Sequence, residues 1–333
     1  MNNKFLNYLI FSTLFISIFF SSCKDSMESL KPNITGKPGS VLIVINQNHW
    51  DTGIGETFDK YLKEAQKGLP QAEPLFEVSR INVNSFKSNL RTHRNIIMTK
   101  ISPDQQKPEI DIKRDVWAKQ QFVITILAPD VQSFNKLLNE KGLVIVELLN
   151  KAEKDRLIET YVKYQDGEIR SKLQKKHNLS LAVPKGYTYF QDTANFVWIK
   201  RRNNQDVRQA ILVYYFNYTD TNTFTPNYLI NKRDYFLKRF LPGYHPGTYM
   251  ATQKLDSVYF KEFMNNGRYT AELRGRWTIV NDYMGGPFVS FTQLDEKRNR
   301  VVTVEGHVYA PNEDKQKFLR EVEAVLWTLQ FLD

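Results

Sequence analysis

Residues 267–290, GRYTAELRGRWTIVNDYMGGPFVS, constrain this chain more than any other stretch. Tyr269, Ala271, Leu273, Gly275, Trp277 and Ile279 alternate with Thr270, Glu272, Arg274, Arg276 and Thr278. A period of two puts the first set on one face of a β-strand and the second set on the other. The first face is mostly apolar and is expected to lie on a core. The second carries one carboxylate and two guanidinium groups. Gly285 and Gly286 permit positive φ and Pro287 fixes the entry into a return strand, so the stretch reads as a hairpin. Its charged face has two readings. One is a sheet face that binds an anion. The other is a solvated face with cross-strand ion pairs, each worth a few tenths to ~1 kcal/mol.

The rest of the chain supplies partners for that hairpin. Its 333 residues suit two domains of ordinary size. Residues 41–45 form a continuous apolar run, as in a strand buried on both faces. A helix is expected from about Glu56, with Phe58, Tyr61, Leu62 and Ala65 at helical spacing and Gly68 and Pro70 as its stop. Strands follow at 76–83, 95–101 and 121–128. Pro129-Asp130 then opens a helix that Gly142 is expected to end. A longer, charged helix covers 143–164. Beyond it lie strands at 196–202 and 210–218, a helix at 227–240, the hairpin, a strand at 301–310, and a last helix that buries Phe318, Val322, Val325 and Leu329 and is capped by Asn312 or a neighbour. This order predicts an α+β protein of two domains, each a mostly antiparallel sheet with helices packed on one face. The predicted limits are 39–150 for the first domain, 151–177 for a helical connector and 178–333 for the second domain, which is PsbP-like by analogy.

Residues 1–22 read as a signal peptide: Lys4, an apolar run from Phe5 to Phe20, then Ser21-Ser22 before Cys23. The segment resembles a bacterial lipoprotein signal, with Phe20-Ser21-Ser22-Cys23 as the lipobox. Cys23 is the only cysteine, which excludes a disulfide within the chain. The resemblance implies a thioether-linked diacylglycerol and an N-acyl chain on Cys23, hence firm anchoring in a membrane. Lys24 argues against retention in the inner membrane. The expected location is the cell envelope, at the outer membrane, facing either the periplasm or the cell surface. Residues 24–38 are expected to form a flexible tether.

The net charge of +10 suits an acidic partner such as an anionic lipid or glycan. Lys200-Arg201-Arg202 and Lys238-Arg239 are the densest basic clusters, and no nucleic-acid motif accompanies them, so nucleic acid is not an expected partner. The five histidines, His49, His93, His177, His245 and His307, have no zinc-motif spacing. No cofactor or metal is expected, and no Gly-x-Ser-x-Gly elbow is present. Gly53-x-Gly55 after a strand is a weak phosphate-loop signal. His49 and Asp51 would share a face in an extended segment. Glu305 and His307 share a face with Thr303 and Tyr309. Were that strand paired near Arg274 and Arg276, a Glu, a His and two Arg would converge, a set suited to a carboxylate or phosphate. The candidate ligand face is therefore Glu272, Arg274, Arg276, Glu305 and His307, with no residue assigned a catalytic role.

Several segments carry a resemblance to a known family: residues 67–74 (KGLPQAEP), 95–97 (NII), 117–121 (WAKQQ), 271–277 (AELRGRW), 284–290 (MGGPFVS) and 305–311 (EGHVYAP). They resemble DUF4837, a Bacteroidota lipoprotein family of unknown function, over nearly all of the mature chain. The resemblance implies an anchored envelope protein and an aromatic residue such as Phe at position 307, and it brings no activity. The expected function is a non-enzymatic binding module for an envelope protein, glycan or lipid. The alternative is a hydrolase of an envelope polymer working near His49 and Asp51 or Glu272 and Arg274.

Overall fold

The computed structural model describes residues 31–202, 206–254 and 258–332. The signal segment and Cys23 lie outside the described residues. Among the described residues no helix is long and apolar enough to cross a membrane. The chain divides into two compact units, residues up to Phe58 with Val78–Gly142, and Asp59–Glu77 with the chain from Leu143 onward. Both combine β-sheet with helices, and the protein is α+β.

The first unit is built on a five-stranded sheet in the order β2-β1-β3-β5-β4. Its strands are β1 (Ser40–Val44), β2 (Glu77–Ile81), β3 (Asn95–Ile101), β4 (Glu109–Arg114) and β5 (Phe122–Ala128). Every residue of β1 is buried, as its unbroken apolar run requires. The β1–β3 and β3–β5 pairs are parallel and β4–β5 is antiparallel. The centre of this sheet therefore departs from the antiparallel pairing expected of it. Burial on both faces is the mark of parallel strands, and here it outweighs the strand-after-strand order. Helix α1 (Gly55–Leu62) follows a helical turn at Gln47–His49 and a π-helical turn at Trp50–Ile54. His49 and Asp51 thus lie on helical turns, where positions i and i+2 diverge. The Asp51 carboxylate takes the Gln47 amide at 2.8 and 2.9 Å. A Cβ on Gly55 would lie 2.3 Å from the Trp50 ring, so this glycine accommodates an indole, not a phosphate. Asn33 and Thr35 bridge to Lys119 and His93, so the part of the expected tether from residue 31 on is bound to the fold.

Helix α2 (Val131–Lys163) is continuous through Gly142, where a break was expected. Phe134, Leu138, Ile145, Leu149 and Ala152 are buried along it at steps of three, four and seven residues. A glycine costs a helix roughly 1 kcal/mol, less than burying two such side chains contributes.

The second unit holds an eight-stranded antiparallel sheet. Its strands are β7 (Thr188–Asp192), β8 (Phe196–Arg202), β9 (Arg208–Asn217), β10 (Met250–Thr252), β11 (Tyr259–Asn265), β12 (Arg268–Ile279), β13 (Gly285–Asp295) and β14 (Arg300–Tyr309). The order is β10-β12-β13-β14-β9-β8-β7, with β11 also on β12. A small ribbon joins β6 (Leu179–Ser180) to β15 (Gln330–Phe331). Helices α3 (Gly167–His177), α4 (Pro226–Phe240) and α5 (Gln316–Leu326) complete the unit. Helices cover both faces of the sheet, not one. Phe318, Leu319 and Val322 of α5 pack with Val213, Val289, Phe291 and Val304. Leu229, Phe236 and Leu237 of α4 pack with Leu212, Leu273, Trp277 and Phe288. The strands alternate between these two cores, which is why 271–279 reads so clearly as period two. Helix α5 has no side-chain cap from Asn312; Glu73 caps it across 242 residues, its Oε1 accepting from Lys315 N at 2.9 Å and its Oε2 from Gln316 N at 2.7 Å.

Candidate functional site

The register of the sheet sorts the candidate ligand face into two groups. Leu273, Ser290, Glu305 and Leu212 form one cross-strand row, and Gly275, Phe288, His307 and Ala210 another. Residues in a row share a face, so Glu305 and His307 lie on the α4 side. Glu272 and Arg274 alternate with Leu273 and lie on the α5 side. Strand β13 also separates β12 from β14. The expected convergence of a Glu, a His and two Arg does not occur.

On the α4 side Glu305 is fully buried and meets Arg233, also fully buried, through two parallel bonds, Nε to Oε2 and Nη2 to Oε1, each 2.8 Å. The guanidinium lies 3.6 Å from the Phe288 ring centroid. Burial raises the Glu305 carboxyl above its ordinary pKa, and Arg233 draws it back only in part. Burial and then Arg233 push His307 down to about 3, so at 3.9 Å from Glu305 it is a neutral ring and not an ion-pair partner. His307 Nδ1 is buried without a hydrogen bond among the described residues. This group is interior and no ligand face.

On the α5 side Glu272 and Arg274 sit in the wall of a cleft of about 760 Å³. Arg274 Nη2 lies 2.8 Å from Glu272 Oε1 and 2.9 Å from Glu323 Oε1 of α5. Burial alone would lower the Arg274 pKa, but Glu323 and Glu272 outweigh it and hold the guanidinium charged. The side chains of Glu272 and Arg274 are only 12% and 11% exposed, so this is neither a solvated face nor a free anion site. The 67–74 loop packs on it: Gly68 has φ +84°, and a Cβ there would lie 2.8 Å from Arg274 Cγ. Arg276, two residues on, is half-buried and outside the cleft lining; its carbonyl accepts from Gln253 N at 2.9 Å.

The cations open to the cleft are ones the sequence reading missed. Lys154 of α2 stands with its Nζ 3.4 Å from the centroid of Trp327. Burial lowers its pKa. Lys67 and Lys261 line the same cleft and are exposed. Among the described residues none of these three lysines has a carboxylate within ion-pair distance, whereas the lining Lys151 pairs with Asp155 and the lining Glu153 with Arg156. The Trp327 indole N–H is buried and has no hydrogen-bond partner among the described residues. Leu143, Val146, Leu157 and Phe260 give the cleft an apolar wall, and Glu64 and Glu147 add two carboxylates to its lining. Lys154 falls in the charged middle of an ordinary-looking helix, and only the fold brings it over Trp327.

The strand order and helix placement define a two-unit α+β protein whose second unit is an antiparallel sheet between helices, with a charged cleft on its α5 side. Residues 166–328 match the model of the domain of unknown function DUF4837. Residues 34–162 match a separate model, the domain of unknown function DUF8532, so the DUF4837 match is confined to the later part of the chain instead of covering nearly all of it. Among solved structures, the chain is similar to the Mog1 E65A mutant at 9% identity and TM-score 0.31, over 47% of this chain and 92% of that one. It is similar to LpqN of Mycobacterium tuberculosis, described as involved in cell envelope biogenesis, at 12% identity and TM-score 0.28, over 46% and 83%. A structure from Bacteroides thetaiotaomicron matches at 14% identity and TM-score 0.21, over 47% and 46%. No curated protein matches the chain.

Proposed function

We propose that this protein is a lipid-anchored envelope protein, held at the outer membrane through acylated Cys23, and that it acts by binding. Its ligand is an anionic molecule with an apolar body, of the kind an acidic lipid presents, seated in the cleft of the second unit. The observation that carries this reading is the Lys154–Trp327 pair. Among the described residues this half-buried ammonium has no carboxylate within ion-pair distance, and it sits against an aromatic ring. An anion placed there would gain a charge-assisted bond in a low-dielectric setting. The apolar wall suits the rest of such a ligand, and the cleft volume is within the usual range for small-molecule sites. Arg274 acts as a wall held by Glu272 and Glu323, not as the ligand's partner.

The anchor is tested by Cys23→Ala, which is expected to move the protein from the membrane to the soluble fraction. Binding is tested by purifying that soluble form from its own envelope, extracting it with organic solvent and recording negative-ion mass spectra. An acidic amphiphile should co-purify and should be depleted in Lys154→Glu. Its absence from both proteins, or equal recovery from both, contradicts the reading.

A further inference from the structure

A second concavity, of about 640 Å³, lies on the α4 side of the same unit, where α4, β10 and the end of β12 meet. Its lining includes Asn231, Asp234, Tyr235, Tyr249, Gln253 and Thr278. Nothing in the cleft reading uses these residues.

The floor of this groove is built from the interior outward. Glu305 fixes Arg233 by two bonds, and Arg233 Nη1 donates to Thr252 Oγ1 at 2.8 Å. Thr252 in turn donates to Asp234 Oδ1 from its backbone N at 2.8 Å and from its hydroxyl at 2.7 Å. Both bonds fall on Oδ1, and among the described residues nothing bonds Oδ2. Arg233 and Glu305 have no exposure, while Asp234 retains 26% at the groove. A buried ion pair is a poor source of net stability compared with apolar packing. Here it is the root of a chain of bonds that fixes one carboxylate at the surface, the support a preorganised binding group requires.

The surroundings of Asp234 indicate what it holds. The side-chain amides of Asn231 and Gln253 have no partner among the described residues. Lys238 Nζ lies 5.0 Å from the Tyr249 ring centroid. Tyr235 is 56% exposed. The loop leading to Tyr249 carries Tyr244, 89% exposed, and the turn after Val280 carries Tyr283, fully exposed. The backbone bond from Val280 N to Tyr249 O at 2.8 Å places that loop beside the end of β12. An anionic ligand would meet Asp234, and a cationic one would meet Lys238 and Lys254. A neutral ligand dense in hydroxyls donates to the carboxylate and accepts from amides and ammonium, and its C–H faces pack on aromatic rings.

We infer that this groove is an oligosaccharide-binding site, with Asp234 accepting from sugar hydroxyls, Asn231 and Gln253 bonding their neighbours, and Tyr235 and Tyr249 as ring platforms. The site is separate from the cleft and stands whether or not the cleft binds an anion.

The test is calorimetric titration of the full chain in detergent with maltohexaose, xylohexaose and chitohexaose. Saturable binding of at least one is expected. Asp234→Asn and the exposed Tyr235→Ala should each weaken it about tenfold or more, a loss of about 1.4 kcal/mol, with an unchanged thermal transition, and Lys154→Glu should leave it unaltered. Absence of saturable binding with all three sugars, or full binding in both groove variants, overturns the inference. Loss of binding in Lys154→Glu also overturns it, because the sugar would then occupy the cleft.

Discussion

Arg233 of α4 and Glu305 of β14 face each other with two bonds of 2.8 Å in a place that water does not reach. Breaking such a pair from one side leaves a bare buried charge, which typically costs about 3–5 kcal/mol. Arg233→Met is expected to destabilise the second unit by that amount in denaturant titration, and Arg233→Met with Glu305→Leu by much less. The single variant should also respond to pH. Burial already holds the Glu305 pKa above its unfolded value, and removing Arg233 removes the charge that opposes this. A carboxyl raised in the folded state contributes stability that is present below its unfolded pKa and lost as pH rises. Arg233→Met should therefore be closest to the parent below about pH 4.5 and furthest from it at neutral pH.

His307 is neutral, buried and lacks a bond at Nδ1, and its ring lies edge-on to Trp277 at 5.7 Å. An unbonded buried nitrogen costs roughly 1–3 kcal/mol, which an apolar ring of similar shape avoids. His307→Phe is expected to leave the fold unchanged and to raise its stability by about 1 kcal/mol, read as a higher denaturation midpoint. A clear loss would mean that the imidazole has a role its contacts do not show.

His177 offers the opposite case. Its Nε2 lies 3.0 Å from Asp192 Oδ1 and its Nδ1 3.1 Å from the Tyr215 hydroxyl, yet burial outweighs Asp192 and lowers its pKa. A histidine depressed in the folded state stabilises above its unfolded pKa, and that stability is lost as pH falls below about 6.5. For Asp192, burial works the other way, but Lys176 and His177 outweigh it and lower the carboxyl, so its contribution disappears only in more acid solution. The unfolding free energy should fall from pH 7 to 5, and His177→Gln should flatten that slope.

Glu73 caps α5 through the backbone N–H groups of Lys315 and Gln316. Glu73→Ala should lower stability by about 1–2 kcal/mol, at the upper end of cap losses, because Glu73 is 5% exposed. Glu73→Gln should recover part of the loss, since an amide oxygen still accepts one bond.

The sequence made local geometry legible and lateral geometry opaque. Alternation in 271–279 reads through because each strand face packs on its own core. The edge strand β4, EIDIKR, escapes notice because its mostly polar, exposed residues carry no apolar run. Register is set by strand order, and so Glu305 could not be assigned to a face relative to Arg274. Two signals did point to the buried pair: Arg233 lies on the apolar stripe of Leu229, Phe236 and Phe240, and Glu305 follows the apolar Val301, Val302 and Val304 in β14. A charge in such a place requires a partner. Lys154 gave no comparable sign, since its neighbours along α2 are charged and its meaning comes from Trp327, 173 residues away.

The central claim, that the cleft holds an anionic amphiphile at Lys154, is tested most directly by following tryptophan fluorescence during titration with dihexanoyl phosphatidic acid below its micelle concentration, and with dihexanoyl phosphatidylcholine as the zwitterionic control. Trp327 forms the wall beside Lys154, so occupancy alters its environment. The account predicts saturable binding of the anionic compound, weaker binding of the control, and at least a tenfold loss in Lys154→Glu. Equal response to both compounds, or undiminished binding in Lys154→Glu, would contradict it.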